Sequence, residues 1–133
     1  MIPSLDDIKD ARGIVARSAI RTPLVCLNVT DAPAEIYLKL ENLQPIGSFK
    51  IRGAANAIGR MSSETLAKGV LTASAGNMAQ GVAWQARELG IPCTVVAPET
   101  APQTKIAAIE RLGGEQDVPV LLMQDLEGAA ATQ

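Results

Sequence analysis

Histidine is absent from the 133 residues. Its absence excludes Ser-His and Cys-His nucleophile pairs and removes the commonest metal ligand, so no metal site is expected. Aromatic residues are almost as scarce: Tyr37, Phe49 and Trp84 are all there is, too few for a base-stacking platform. Net charge is −2 without a block of like charges, which leaves nothing to hold a polyanion such as nucleic acid. Cys26 and Cys93 lack metal-ligand spacing. They read either as two reduced thiols or as a disulfide; a cytoplasmic protein, the location expected here, keeps them reduced. No stretch reaches the ~20 apolar residues needed to span a membrane. The start, MIPSLDDIKDARG, has no apolar run and does not read as a signal peptide.

What the chain does have is an ordinary apolar fraction, 47 %, and the length of one domain. Ser4 and Asp7 resemble a capping box, and Leu5, Ile8 and Val15 make a partial helical stripe, so a helix is expected near 5–17, ended by Arg21-Thr22-Pro23. EIYLKLE (35–41) alternates and reads as a strand with one buried face, Ile36, Leu38 and Leu40. A turn-rich passage leads to a helix over about 49–60, with Ser48 as its N-cap. A short helix near 63–68 ends at Gly69. Then strand and helix alternate: strand 70–74, helix 77–89 closed by Gly90, strand 93–97, helix 101–112 capped by Thr100, strand 117–123. Pro119 cannot donate to a ladder, which puts the last strand at an edge. Short-looped strand–helix repetition means a parallel sheet flanked by helices, a three-layer α/β arrangement. The end, DLEGAAATQ, reads as the first turns of a further helix cut short, as in a fragment, a truncated product or a chain with an obligate partner.

Three segments have residues fit for chemistry. In GSFKIRG (47–53), Lys50 lies in the first turn of its helix, where the positive end of the dipole disfavours an ammonium. A lysine amine is a nucleophile for carbonyl groups; the segment reads equally as a capped helix with a solvated lysine. In TASAGNMAQG (72–81), a strand gives way to a helix through small residues. Open α/β sheets bind ligands at the carboxyl ends of strands, and helix-start amides favour an anion; the bland alternative is an ordinary strand–helix turn. It matches neither the P-loop nor the dinucleotide glycine pattern. PETAPQTK (98–105) is explained in full as a capped helix with Pro102 in its first turn. Glu41 and Asn42 either orient something near the lysine loop or are a polar strand end, and Cys93 reads as packing.

KLENLQPIGSFKIRGAANAI (39–58) resembles the lysine segment of the serine/threonine dehydratase family, the threonine dehydratase and serine racemase group of fold-type-II pyridoxal-phosphate enzymes. TASAGNMAQGVAWQARELGIPCTVVAPETAPQTKIAAIERLGGE (72–115) resembles the stretch that follows it there. The similarity runs from about residue 5 to 115. It implies pyridoxal 5'-phosphate as cofactor and β-elimination of a hydroxy amino acid to a 2-oxo acid and ammonia. It also implies roles. Lys50 matches the lysine that forms the cofactor imine and moves the α-proton, Phe49 the aromatic beside it, and Asn77 the donor to the cofactor's ring hydroxyl. Ser74, Ala75, Gly76 and Asn77 match the loop that holds the substrate carboxylate.

Two departures stand out. Met78 occupies the place of the family's usual histidine, and the family's glycine-rich phosphate cup has no counterpart in these residues. Ala75 stands where serine racemase has a serine proton donor, which favours a dehydratase. The resemblance further implies a division at the lysine loop: 1–48, including the first helix and the 35–41 strand, belonging to an incomplete larger domain, and 49–133 forming the small α/β domain of a tryptophan synthase β-like fold. The expectation is therefore the N-terminal part of an ammonia-lyase, inactive as an isolated chain, that associates with itself or a partner. The rival expectation is a non-catalytic remnant that serves as a binding or oligomerisation module.

Overall fold

The computed structural model describes residues 2–113 and 118–123. The 125–133 segment, expected to start a curtailed helix, lies outside the described residues, as do 114–117 and 124.

Helix α1 spans Leu5–Val15, and its capping box is complete. The Asp7 amide donates to Ser4 Oγ (3.1 Å), and the Ser4 amide donates to Asp7 Oδ2 (2.8 Å). The Ser4 hydroxyl also donates to Asp7 Oδ2 (2.7 Å), and that bond first, then the one from the Ser4 amide, holds the Asp7 carboxyl below its ordinary range. The helix stops well before Pro23, in turns closed by Arg17, Ser18 and Ala19 amides on the Ile14 and Val15 carbonyls. Next come β1 (Leu24–Cys26) and β2 (Tyr37–Lys39), paired antiparallel, with Leu24 opposite Lys39 and Cys26 opposite Tyr37. No pattern in the residues announced β1. The 35–41 segment does form its strand, over three residues, but it has no buried face: Tyr37, Leu38 and Lys39 are all exposed. A two-stranded ribbon has one neighbour per strand, and alternation buries side chains only where a second layer covers one face.

A 3-10 turn (Glu41–Leu43) leads to α2 (Lys50–Ile58), then to α3 (Ser63–Ala67), capped by Ser62, and Gly69 at φ +87°. From there the chain alternates through β3 (Val70–Ala73), α4 (Asn77–Leu89), β4 (Cys93–Pro98), α5 (Gln103–Gly113) and β5 (Val120–Met123). Gly90 ends α4 in the left-handed region, at φ +65°. Helix α5 begins two residues later than its sequence suggests. Thr100 is not its cap but part of a turn in which the Ala101 amide donates to the Pro98 carbonyl, and Pro102 just precedes the helix and accepts from Lys105 and Ile106.

The three strands are parallel in the order β3-β4-β5, with Thr72 beside Val95 and Val95 beside Val120, so β5 is an edge among the described residues; it starts at Val120, and Pro119, expected inside it, lies just before it. The chain steps twice in one direction across this sheet. Right-handed crossovers then put α4 and α5 on the same face. Ala79, Val82, Ala83 and Ala86 of α4 and Ile109 of α5 pack there on Cys93 and Val95, joined by Ala54 and Ile58 of α2. Residues of the opposite face, Leu71 and Leu121, are exposed. Burial raises the Cys93 thiol's pKa, in keeping with packing rather than reactivity. No helix among the described residues is long and apolar enough to cross a membrane.

Candidate active site

Helices α2 and α4 approach closely because α4 carries a glycine where they touch. A Cβ on Gly81 would lie 3.3 Å from Ala54 Cβ, 3.4 Å from Ile46 Cδ1 and 3.5 Å from the Lys50 carbonyl oxygen. The small residues of both helices thus bring their N-terminal ends together, and with them the lysine segment and the 74–77 loop.

The entry to α2 is a turn in which the Gly47 amide donates to the Gln44 carbonyl (2.7 Å), with Gly47 at φ +67°. That φ favours glycine. Ser48 follows, buried, but it is not the N-cap; Phe49 holds that position with helical φ and ψ and no capping bond. The Ser48 hydroxyl instead accepts from the Lys50 amide (3.3 Å), the two-residue bond that serine makes when the next residue is already helical. It also accepts from Asn77 Nδ2 at 3.2 Å. One hydroxyl therefore joins the lysine's backbone to the asparagine's side chain. The Lys50 ammonium rests over the Phe49 ring, 5.1 Å from its centroid, and that ring is 56 % exposed.

On the α4 side, Gly76 is the N-cap and offers no side chain. The first intrahelical bond runs from Gln80 to the Gly76 carbonyl. The amides of Asn77 and Met78 precede that bond at the helix start, a setting that attracts an anion, whereas Ala79 is buried in the core. The Gly76 amide, by contrast, is taken: it donates to Ser74 Oγ at 3.1 Å. Ala75 is half-buried and brings no proton-transferring group. Met78 lies along α2, its Cε 3.9 Å from where a Cβ on Gly53 would be. A thioether there fills space, whereas an imidazole would carry a proton.

The structure thus brings Phe49, Lys50, Ser74, Ala75, Gly76 and Asn77 to the converging starts of α2 and α4. The arrangement offers an amine nucleophile, an amide donor and the amides of a helix start. Reading the sequence missed Ser48 as the bridge and left Glu41 undecided. Glu41 is the centre of a sheltered hydrogen-bond network with Arg52. A carboxylate nine residues before the lysine and an arginine two after it are the signal that was there.

Residues 15–131 match the family described as pyridoxal-phosphate dependent enzyme, and the chain belongs to that family. It is 49 % identical over 116 residues to an L-threonine ammonia-lyase of Thermotoga maritima, covering 84 % of this chain and 28 % of that protein. It is 46 % identical over 117 residues to a catabolic L-threonine dehydratase of Staphylococcus aureus, covering 86 % and 34 %. Among solved structures it superposes on maize serine racemase with a TM-score of 0.85 at 33 % identity, over 96 % of this chain and 38 % of that one. The processed form of threonine deaminase isoform 2 from Solanum lycopersicum gives 0.73 at 38 %, over 91 % and 36 %. The chain spans about a third of the length of these relatives. Pyridoxal phosphate is the cofactor on which the family depends.

Proposed function

We propose that this chain supplies the lysine and the carboxylate-binding loop of a pyridoxal-phosphate-dependent serine/threonine dehydratase, an ammonia-lyase that converts a hydroxy amino acid to a 2-oxo acid and ammonia. The observation that carries the proposal is the Ser48 hydroxyl shared between Lys50 and Asn77. The residues fit their share of the cofactor. Lys50 would hold it through its amine and Asn77 through its side-chain amide. When bound, the cofactor supplies the electron sink for the charge left on the α-carbon.

The chain's own groups do the rest. The loop of Ser74, Ala75, Gly76 and Asn77, at the positive end of α4, orients the substrate carboxylate. Lys50 Nζ would take the α-proton as a general base. The Phe49 ring shields one side of that amine from water. Ala75 offers no proton to the α-carbon's other face, so elimination is favoured over inversion. The same proposal places the reaction in the cytoplasm, where the free Cys26 and Cys93 stay reduced.

Since the chain spans about a third of its relatives, we propose that the 133 residues alone turn over neither threonine nor serine, and that a larger assembly completes the phosphate site. The test is 2-oxo acid production from both amino acids by the wild type and by Lys50→Ala, with borohydride trapping of pyridoxal phosphate and peptide mapping alongside. Label on Lys50 ahead of Lys39 and Lys105, without turnover, is the expected result; dominant label on Lys39 or Lys105 overturns it. The second reading, a non-catalytic binding or oligomerisation module, is favoured by Met78 in place of histidine and by the exposed ribbon residues Leu24 and Leu38. It prevails if Lys50 takes no preferential label.

A further inference from the structure

The carboxylate of Glu41 accepts four hydrogen bonds from three parts of the chain. Arg52 grips it with a fork, Nε on Oε2 and an NH2 on Oε1, both at 2.8 Å. Thr22 Oγ1 donates to Oε1 at 2.6 Å, and Gln44 Nε2 donates to Oε2 at 3.2 Å. Gln44 also binds the backbone of Ile20 from both sides, accepting from its amide (3.0 Å) and donating to its carbonyl (2.9 Å). Arg52 adds a second bond to that carbonyl, at 3.1 Å.

Exposed ion pairs contribute little, but this network is sheltered. Thr22 and Gln44 are 3 % and 4 % exposed, and the Glu41 side chain 17 %. A fork of two charge-assisted bonds fixes direction as well as distance, which a lysine in its place does not do.

Its place in the fold matters more than its strength. Arg52 follows Lys50 by two residues, and at 3.6 residues per turn the two side chains leave the helix on nearly opposite sides. The start of α2 is therefore held between the Glu41 network and α4, whose Gly81 lies under the Lys50 carbonyl. Gln44 acts at the same point a second way, since its carbonyl closes the turn that delivers Gly47 and Ser48.

We propose that Glu41, Arg52 and Gln44 form a latch that sets the first turn of α2, and with it Lys50, against Asn77. Glu41 and Arg52 are positioning residues, not groups that touch substrate. The inference rests on the proposed function for the task it gives Lys50, and on hydrogen bonds alone for the latch itself.

The experiment uses the full chain and two variants, Glu41→Gln, which keeps shape and loses charge, and Arg52→Lys, which keeps charge and loses the fork. Amide hydrogen exchange without cofactor is the first readout. Peptides over 44–53 are expected to exchange about tenfold faster in Glu41→Gln, with a smaller rise in Arg52→Lys, while peptides from α4 and β4 stay at the wild-type rate. A uniform rise in all protected peptides, or none, overturns the latch. The second readout is the ratio of borohydride-trapped label on Lys50 to that on Lys105. It is expected to fall in both variants and to hold in Lys9→Gln, which removes a surface cation elsewhere. A selective change in exchange with an unchanged ratio shows a mere staple and overturns the positioning role. If the wild type itself shows no preference for Lys50, the proposed function fails, and the exchange result still decides the latch. Should Glu41→Gln not fold, Arg52→Lys carries both readouts.

Discussion

The Ser48 hydroxyl has a small task in energy and a large one in geometry. Ser48→Ala removes one acceptor and leaves the Lys50 amide and the Asn77 side chain without it. A neutral hydrogen bond contributes about 0.5–1.5 kcal/mol, so the loss in urea denaturation is expected to stay within roughly 2 kcal/mol. Preferential labelling of Lys50 by pyridoxal phosphate, measured by peptide mapping, is expected to fall further than that modest loss implies. Glu41 acts differently, because it is charged. The Arg52 fork first, then Thr22 and Gln44, hold its carboxyl down to about 2, from 4.5. A carboxyl depressed on folding contributes stability that is complete above about 4.5 and is lost as pH falls toward 2. The gap in unfolding free energy between wild type and Glu41→Gln is thus expected to narrow across that window and to be constant above it. Equal slopes for the two proteins below pH 4.5 would show that Arg52 does not hold the charge.

At the scale of elements, α2 and α4 are the pair on which the site depends, and two substitutions probe their contact from opposite directions. Ile51 is fully buried. Ile51→Ala leaves a cavity beside α2 and is expected to cost about 2–5 kcal/mol. Gly81→Ala adds one methyl group where the helices nearly touch. Helix propensity returns close to 1 kcal/mol, but the crowding is against Ala54 Cβ at 3.3 Å, which cannot rotate away. Overpacking of this kind costs about 1–3 kcal/mol, so net destabilisation is expected, smaller than for Ile51→Ala. Gly81→Ala is also expected to accelerate exchange at the Lys50 amide, since α2 must yield by a few tenths of an ångström. A stabilised Gly81→Ala variant with unchanged exchange would mean that the helix contact is looser than it stands here.

For the molecule as a whole, the described residues form two sheets of different standing. The parallel sheet has helices over one face and a buried central strand, β4. The β1-β2 ribbon is exposed along both strands. Leu24 is 63 % and Leu38 39 % exposed, and Leu71 and Leu121, on the face of the other sheet opposite α4 and α5, are 68 % and 52 % exposed. Covering an exposed leucine is worth roughly 1.5–3 kcal/mol when burial is complete. Apolar surface on this scale marks an interface. We therefore propose self-association or a partner chain, and a boundary between a 1–48 segment and the small domain at the lysine loop. Light scattering is expected to give a mass that rises with concentration, and Leu24→Lys with Leu38→Lys to reduce that rise. A constant monomer mass across a wide range of concentration would contradict it.

The local alphabet of the chain was enough for most of its elements. Ser4 and Asp7 specify a capping box within four residues. Gly90 supplies a left-handed stop. These features act within one turn, so residue type and spacing determine them. The GSFK and SAGN segments likewise announced the two helix starts at which the site forms. Other features needed the fold. Leu24–Cys26 is a strand only because Tyr37–Lys39 lies beside it. The alternation of EIYLKLE could not say whether a layer would cover its apolar face, and among the described residues none of β2 is buried. Ser48 looked like a cap, and it became a bridge because Asn77, 29 residues further on, arrives within 3.2 Å of its hydroxyl. Glu41 read either as an orienting group or as a polar strand end until Thr22, 19 residues before it, and Arg52, 11 residues after it, closed around it. In each case the deciding partner is distant in sequence, and a hydrogen bond to a distant partner depends on where the packing of helices and sheet has carried it.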